Sequence, residues 1–186
     1  MNNLKTIWHQ HNNLEPNARA AFYDAFIWSA IKFRFGLRYH TKPYAISLHV
    51  VGTSFEPVTL SAFAFNALQV ILLHTTDTKH VTKRIITELE FGDVRIQTRL
   101  IDRADPQELY KAVQISLETI PKNSSIAFEL TSGTKAMVAA LAFQANALHT
   151  TGRNVDVYYI NNPRWDTTAR RPEPGFEELI KLEMPA

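Results

Sequence analysis

Cysteine is absent from the sequence, which excludes disulfides, thiolate metal sites and a cysteine nucleophile. The same absence fits a chain kept in the reducing cytoplasm. An excess of charge of one sign is also missing. Lys and Arg number 20 against 18 Asp and Glu, a formal net charge of +2, which is too little for a surface that coats DNA or RNA in general. Any anion binding must therefore come from a local site. No apolar stretch is long enough to span a membrane, which takes roughly 20 residues. The most apolar N-terminal segment is bracketed by Asp24 and Lys32, so its burial against the sheet or a partner subunit is expected instead. The first residues are polar, with His9, His11 and several Asn, and carry no signal-peptide pattern. His9, His11 and His40 lack a matching carboxylate motif, so neither a metal site nor a cofactor is expected. Internal repeats and low-complexity tracts are missing too.

What is present is organised around Ser125–Leu148. Ile126-Ala-Phe128 and Leu130 read as a short buried strand, bounded upstream by Pro121-Lys-Asn-Ser-Ser. Ala136 to Leu148 is an Ala-rich run without Pro or Gly, of high helix propensity. Between them lies Thr131-Ser-Gly-Thr-Lys135. A strand-to-helix turn of this kind offers unpaired N–H groups and a positive dipole end to an anion. The hydroxyls add donors, Gly133 admits close approach and Lys135 adds a full charge. The spacing is not that of a Walker loop. Taken alone, the turn also suits an ordinary helix capped by Thr or Ser.

In chain order, residues 1–15 read as an irregular or helical lead-in. Pro16 to about Arg38 reads as a helix, capped by Asn13 or Asn17, whose apolar face is Phe22, Phe26, Ala30 and Phe33, widened by Tyr23, Ile27 and Trp28. Strands follow at Tyr44–Val51, Val70–Thr75, Val94–Ile101 and Val155–Ile160, the third alternating as an edge strand does. Helices are expected over Val58–Leu68, Lys79–Leu89 and from Asp105-Pro106 to about Ile120. The tail from Asn161, with Pro163, Pro172 and Pro174, reads as an exposed extension with a short helix near Phe176–Leu182.

Alternating strands and helices predict an α/β, Rossmann-like, doubly wound and mainly parallel sheet of five to six strands, with helices on both faces. Ligands of such sheets bind beyond the carboxyl ends of the strands, where the winding reverses. In a 3-2-1-4-5 order the first and fourth strands flank that point. Their ends are Gly52-Thr-Ser54 and Thr131-Ser-Gly-Thr-Lys135, so two polar, anion-friendly turns are expected to meet there.

The ordered set Val50-Val-Gly-Thr-Ser-Phe-Glu-Pro57, Leu72-Leu-His-Thr-Thr-Asp-Thr78 and Glu129-Leu-Thr-Ser-Gly-Thr-Lys-Ala-Met137 resembles the CRISPR-associated Rossmann-fold (CARF) domain family. That family's fourth-strand motif runs Asp-x-Thr-x-Gly-Thr-Lys/Pro-x-Met, and this chain departs from it at Glu129. The resemblance covers about residues 44–161. It implies a homodimer whose paired crevices bind one cyclic oligoadenylate, such as cyclic tetra-adenylate, the messenger of type III CRISPR antiviral defence. A two-fold ring matches an isologous two-fold interface. By matching motif, Gly52, Thr53 and Ser54 would line the first turn and Thr75 and Thr76 the second. Thr131, Ser132, Gly133, Thr134 and Lys135 would hold ribose and phosphate. Phe63, Phe65, Met137 and Phe143 would supply much of the dimer interface.

The resemblance divides the chain into an N-terminal helical extension (1–43), a CARF domain (44–162) and a C-terminal extension (163–186). No effector is recognised beside the sensor. Arg34-Phe-Gly-Leu-Arg-Tyr-His40 has the Arg-x5-His spacing of HEPN ribonucleases, but the forty residues before the sheet are too few for a helical nuclease domain. Small stand-alone members of the family are often ring nucleases. Cleavage here would be metal-independent and slow, with Ser54 positioning the ribose 2′-OH and Lys135 meeting charge on the phosphorane, leaving 2′,3′-cyclic phosphate ends. The alternative is a non-catalytic sensor or binding module that regulates a separate effector. His49 and His74, within strands, are expected in the core.

Overall fold

The structure, a computed structural model, describes residues 2–90, 94–102 and 105–184. Residue 1 and residues 185–186, the outer ends of the expected extensions, lie outside the described residues. The chain divides into two compact units, one of residues 1–40 and 161–178, the other of residues 41–160 and 179–186.

The second unit carries the sheet. Its strands are β1 (Ile46–Val50), β2 (Gln69–His74), β3 (Arg95–Leu100), β4 (Ser125–Glu129), β5 (Asn154–Asn161) and β8 (Glu178–Leu182). They run in the order β3-β2-β1-β4-β5-β8. The pairs β1–β2, β1–β4, β2–β3 and β4–β5 are all parallel. The expected 3-2-1-4-5 order and the edge position of the third strand are therefore observed. Between the strands lie α4 (Glu56–Phe65), α5 (Lys79–Leu89), α6 (Pro106–Leu117) and α7 (Lys135–Thr150). Every residue of β1 and β2 is buried, the polar Ser47, His49, Gln69 and His74 included, as befits central strands of a parallel sheet covered on both faces.

Alternation along the strands separates two cores. Ile46, Leu48, Val50, Ile71, Leu73, Ile126 and Phe128 join Leu109, Val113 and Leu141 of α6 and α7 in one apolar cluster. On the other face His49 stacks on Phe65 of α4, ring centroids 5.8 Å apart. Two residues expected at a dimer interface belong instead to these cores, because Phe65 and Met137 are 0% and 4% exposed. A helix packed on a sheet turns one face inward, and their positions fall on it. Phe63 and Phe143, on the same helices, remain 43% and 68% exposed.

Strand β8 replaces the short helix expected near Phe176–Leu182. Pro172 and Pro174 disfavour a helix on the approach, where the chain turns at Gly175 with φ at +86°, and the free edge of β5 offers backbone groups that a helix has no use for. An ion pair between Lys181 Nζ and Asp156 Oδ1, at 2.6 Å, ties the new edge to β5.

The other unit holds α1 (Asn2–Asn12), then α2 (Pro16–Phe22), a π-turn over Tyr23–Trp28 and α3 (Ser29–Arg38) as one helical path, and a ribbon of β6 (Trp165–Asp166) and β7 (Arg171–Pro172). Extended Glu15 precedes Pro16 at the first helical position and caps without a side-chain bond, so neither Asn13 nor Asn17 is the cap. The π-turn corrects the expected apolar face as well. A π-turn holds one residue more than an α-turn and shifts the phase of the stripe beyond it. Ile27, Trp28, Ile31 and Phe35 are buried, whereas Phe26 is 54% and Phe33 69% exposed. Among the described residues no helix is long and apolar enough to cross a membrane.

Candidate functional site

The crevice forms where β1 and β4 end side by side. Val51 extends β1 by donating its N–H to Leu73 O at 2.8 Å, and Leu130 does the same from β4 to Tyr158 O at 2.9 Å. The chain then turns away on both strands. The two turns pack glycine against glycine. A Cβ built on Gly52 would lie 2.7 Å from the Gly133 nitrogen, and one on Gly133, whose φ is +96°, would run into Val50. Only residues without a side chain let these backbones approach so closely, and only glycine adopts that φ without strain.

Beyond the contact, α7 begins. Thr134 is its cap, with Oγ1 accepting the Met137 N–H at 3.3 Å, so the ordinary capping role and the anion-friendly geometry coexist. The first N–H groups of α7 have no intrahelical acceptor and carry the positive end of the helix dipole. Thr131 is pinned on both sides. Its N–H donates to Glu129 Oε1 at 2.6 Å, and its Oγ1 accepts the Ile160 N–H at 2.6 Å. The turn after β2 closes on itself, with the Thr75 N–H donating to Thr78 Oγ1 at 3.1 Å and the Thr78 N–H to Thr75 O at 3.2 Å.

Together these turns enclose a cavity of about 450 Å³. Gly52, Thr53, Ser54, Thr75, Thr131, Ser132, Gly133 and Thr134 all line it. Thr76 and Lys135 do not. Thr76 is exposed in the closed turn after β2, and Lys135 is exposed as the first residue of α7. Sequence reasoning passed over Asp77, Thr78 and Met137, which also line the cavity. The Thr75…Thr78 spacing, a hydroxyl three residues on from the strand end, is the signal of a self-capped turn that would have found Thr78.

The lining is rich in hydroxyls and poor in charge, and among the described residues Asp77 is its one acidic or basic residue. His49 is fully buried, with Nε2 2.9 Å from Ser47 Oγ and Nδ1 3.3 Å from Ser61 Oγ. Burial pushes its pKa down to about 3. His74 is also buried, its Nδ1 3.1 Å from Thr75 O. Both histidines are core residues, as expected, and neither lines the crevice. Glu129 lies directly beneath the fourth-strand turn, fully buried, with its Oε2 unbonded among the described residues. Desolvation is the main cause that raises its pKa, to about 7, against the opposing bonds from Thr131 and Ser132. Among the described residues no group of three or more metal-binding side chains assembles.

Fold and crevice define a Rossmann-like doubly wound domain with its site at the topological switch point. No protein-family model matches the chain. It is 29% identical over 191 residues to the CRISPR system endoribonuclease Csm6 of Thermus thermophilus, an alignment that covers 100% of this chain and 40% of that protein. The structure of Can2 from Sulfobacillus thermosulfidooxidans, in complex with cyclic tetra-adenylate, superposes with a TM-score of 0.54 at 18% identity, over 63% of this chain and 32% of Can2. That likeness is one of fold. A type III CRISPR defence DNA nuclease activated by cyclic oligoadenylate matches more loosely, with a TM-score of 0.46 at 17% identity over 83% of this chain and 28% of that one. This chain spans less than half the length of each of these proteins.

Proposed function

We propose that the crevice binds a cyclic oligoadenylate of type III CRISPR antiviral defence, with cyclic tetra-adenylate as the first ligand to test. The observation that carries this reading is the direct packing of the Gly52 and Gly133 turns. It brings the hydroxyls of Thr53, Ser54, Ser132 and Thr134 and the α7 N-terminus to one cavity. Ribose and phosphodiester groups present hydroxyls and anionic oxygens, which hydroxyl side chains and uncapped N–H groups match. The likeness to Csm6 and the fold shared with Can2, solved with cyclic tetra-adenylate, support the same reading. Exposed Phe63 and Phe143 are the residues we assign to a homodimer interface that completes the ring site.

The test is calorimetric titration with cyclic oligoadenylates of several ring sizes. Binding of one ring per two chains is expected, and no binding of any ring overturns the proposal. Lys135→Ala is expected to weaken binding by about 1.5–3 kcal/mol if the lysine side chain reaches a phosphate from its exposed place. Unchanged affinity removes Lys135 from the site.

A second reading adds slow, metal-independent cleavage of the ring, with Ser54 positioning a 2′-OH and Lys135 meeting phosphorane charge. Ser54 favours it by lining the cavity. The burial of His49 and His74 leaves the crevice without a histidine base and accounts for slow turnover. Excess protein incubated with the ring in chelator is expected to yield linear products ending in 2′,3′-cyclic phosphate. A ring that stays intact while bound leaves the non-catalytic sensor.

A further inference from the structure

The unit formed by residues 1–40 and 161–178 contains a cavity of its own, of about 230 Å³. Its walls include three aromatic residues, Trp8, Trp165 and Phe176, with Lys5, Arg34 and Glu173 around them. Two of the rings are held in place by guanidinium groups. Arg171 lies 4.0 Å from the Trp8 ring centroid and Arg164 4.0 Å from that of Phe176. Trp8 is anchored further by donating its Nε1–H to Asp166 Oδ2 at 2.8 Å. Asp166 also takes the N–H groups of Thr168 and Ala169 on Oδ1, both at 2.9 Å, so its charge serves the β6–β7 ribbon. These bonds hold its carboxyl below the usual range.

Other groups on the same walls are left over. Trp165 is 58% exposed and has no ring partner among the described residues. Arg34 is half-buried and makes no hydrogen bond or ion pair among the described residues. It is nevertheless placed: a Cβ on Gly175, whose φ is +86°, would come within 2.9 Å of Arg34 Nη1, so the absence of a side chain there makes room for the guanidinium. A positioned, partly desolvated guanidinium without an acceptor is costly unless an anion completes it. Lys5 adds a second cation, one with no partner among the described residues, and the Glu173 carboxylate adds an acceptor.

We propose that this cavity is a second ligand site, separate from the crevice, that takes one nucleotide unit. The base packs on Trp165 and Phe176, an exocyclic amino group donates to Glu173, and the phosphate sits on Arg34 and Lys5. The cavity falls below the roughly 300–1,000 Å³ of drug-sized sites, which limits it to a single base with its phosphate at the mouth. A free mononucleotide and the phosphorylated end of a single strand share this chemistry. The proposal does not depend on the cyclic oligoadenylate reading, because the residues it uses are absent from the crevice.

AMP is the first probe, titrated into the full chain and followed by tryptophan fluorescence and calorimetry. Saturable binding is expected, and Trp165→Ala and Arg34→Gln should each weaken it about tenfold or more, the loss of a stacked base or a charged phosphate contact. Trp165 is exposed, so its variant keeps the fold, and Arg34→Lys is expected to restore part of the affinity. Adenosine should bind at least tenfold more weakly than AMP. A 5′-phosphorylated oligoadenylate that binds at least tenfold tighter than AMP identifies the end of a strand as the ligand, and equal affinity identifies the free nucleotide. AMP binding unchanged by both variants, or lost only with Ser132→Ala in the crevice, overturns the proposal. Phenyl phosphate binding as tightly as AMP overturns the base and points to a phosphotyrosine peptide. Cyclic oligoadenylate binding should be the same in Trp165→Ala as in the wild type, so failure here is distinguishable from failure of the crevice reading.

Discussion

In the sheet unit the walls of the cavity are largely backbone, two strand ends packed through Gly52 and Gly133 and finished with short hydroxyl side chains. In the unit of residues 1–40 and 161–178 the walls are side chains, with guanidinium groups stacked on Trp8 and Phe176 and Trp165 standing exposed beside them. The difference teaches what each site tolerates. A backbone site fails when any atom is added at its contact, whereas a side-chain site fails when a ring or a guanidinium is taken away.

Removing a core anchor from the helical unit is the largest expected perturbation. Trp28 is 1% exposed, and Trp28→Ala should cost about 3–5 kcal/mol in urea unfolding. Phe33→Ala, further along the same helical path but exposed, should cost under about 0.5 kcal/mol. Equal losses would mean that the π-turn does not set the phase of the buried stripe.

Gly133→Ala tests the backbone contact. With φ at +96° and Val50 in the way of a Cβ, it should lose about 2–4 kcal/mol of stability and ligand binding with it. A variant that binds cyclic tetra-adenylate like the wild type would show that the turns need not touch.

Glu129→Gln tests the electrostatics beneath that contact. The folded pKa of Glu129 is raised to about 7 from 4.5. The folded state therefore holds more protons than the unfolded state between these values, and stability falls as pH rises through that window. Relative to wild type, the variant should gain stability from pH 5 to pH 8, by up to roughly 3 kcal/mol. His49, lowered to about 3, acts in the opposite direction below pH 6.5, and the difference between the two proteins cancels it. Wild-type affinity for an anionic ring should also weaken as pH rises through about 7, because an ionised Glu129 repels phosphate. Parallel pH profiles for the two proteins would remove Glu129 from both roles.

The smallest effect on folding is expected at Phe143, 68% exposed. Phe143→Ser should change unfolding by under about 0.5 kcal/mol while shifting light scattering from dimer toward monomer. A dimer that persists places the interface elsewhere.

The sheet unit was largely legible because its signals are local. The buried runs of β1 and β2, Pro106 at the start of α6 and the Ala-rich α7 each state their own structure within a few residues, and short right-handed connections then leave few topologies. The site was legible in part for the same reason, since Gly52-Thr-Ser54 and Thr131-Ser-Gly-Thr134 are strand ends. Which neighbouring residues turn into the cavity was harder to read, because that is decided within each turn. The Thr75–Thr78 bonds bring Thr78 in and leave Thr76 out, and the start of α7 leaves Lys135 just beyond the lining.

The sequence by itself determined the alternation of strand and helix, the order of the first five strands and the meeting of two polar turns at the switch point. These follow from side-chain periodicity and from the chirality of the connections. Only the tertiary structure decided the rest. Glu178–Leu182 became a strand because a free sheet edge was there to pair with. Phe65 and Met137 went inward, while Phe63 and Phe143 did not, because of how α4 and α7 lie on the sheet. Glu129 acquired its raised pKa because the surrounding strands and the turn above it exclude water. In each case the deciding quantity, a partner edge or the solvent left around a side chain, belongs to residues far away in sequence.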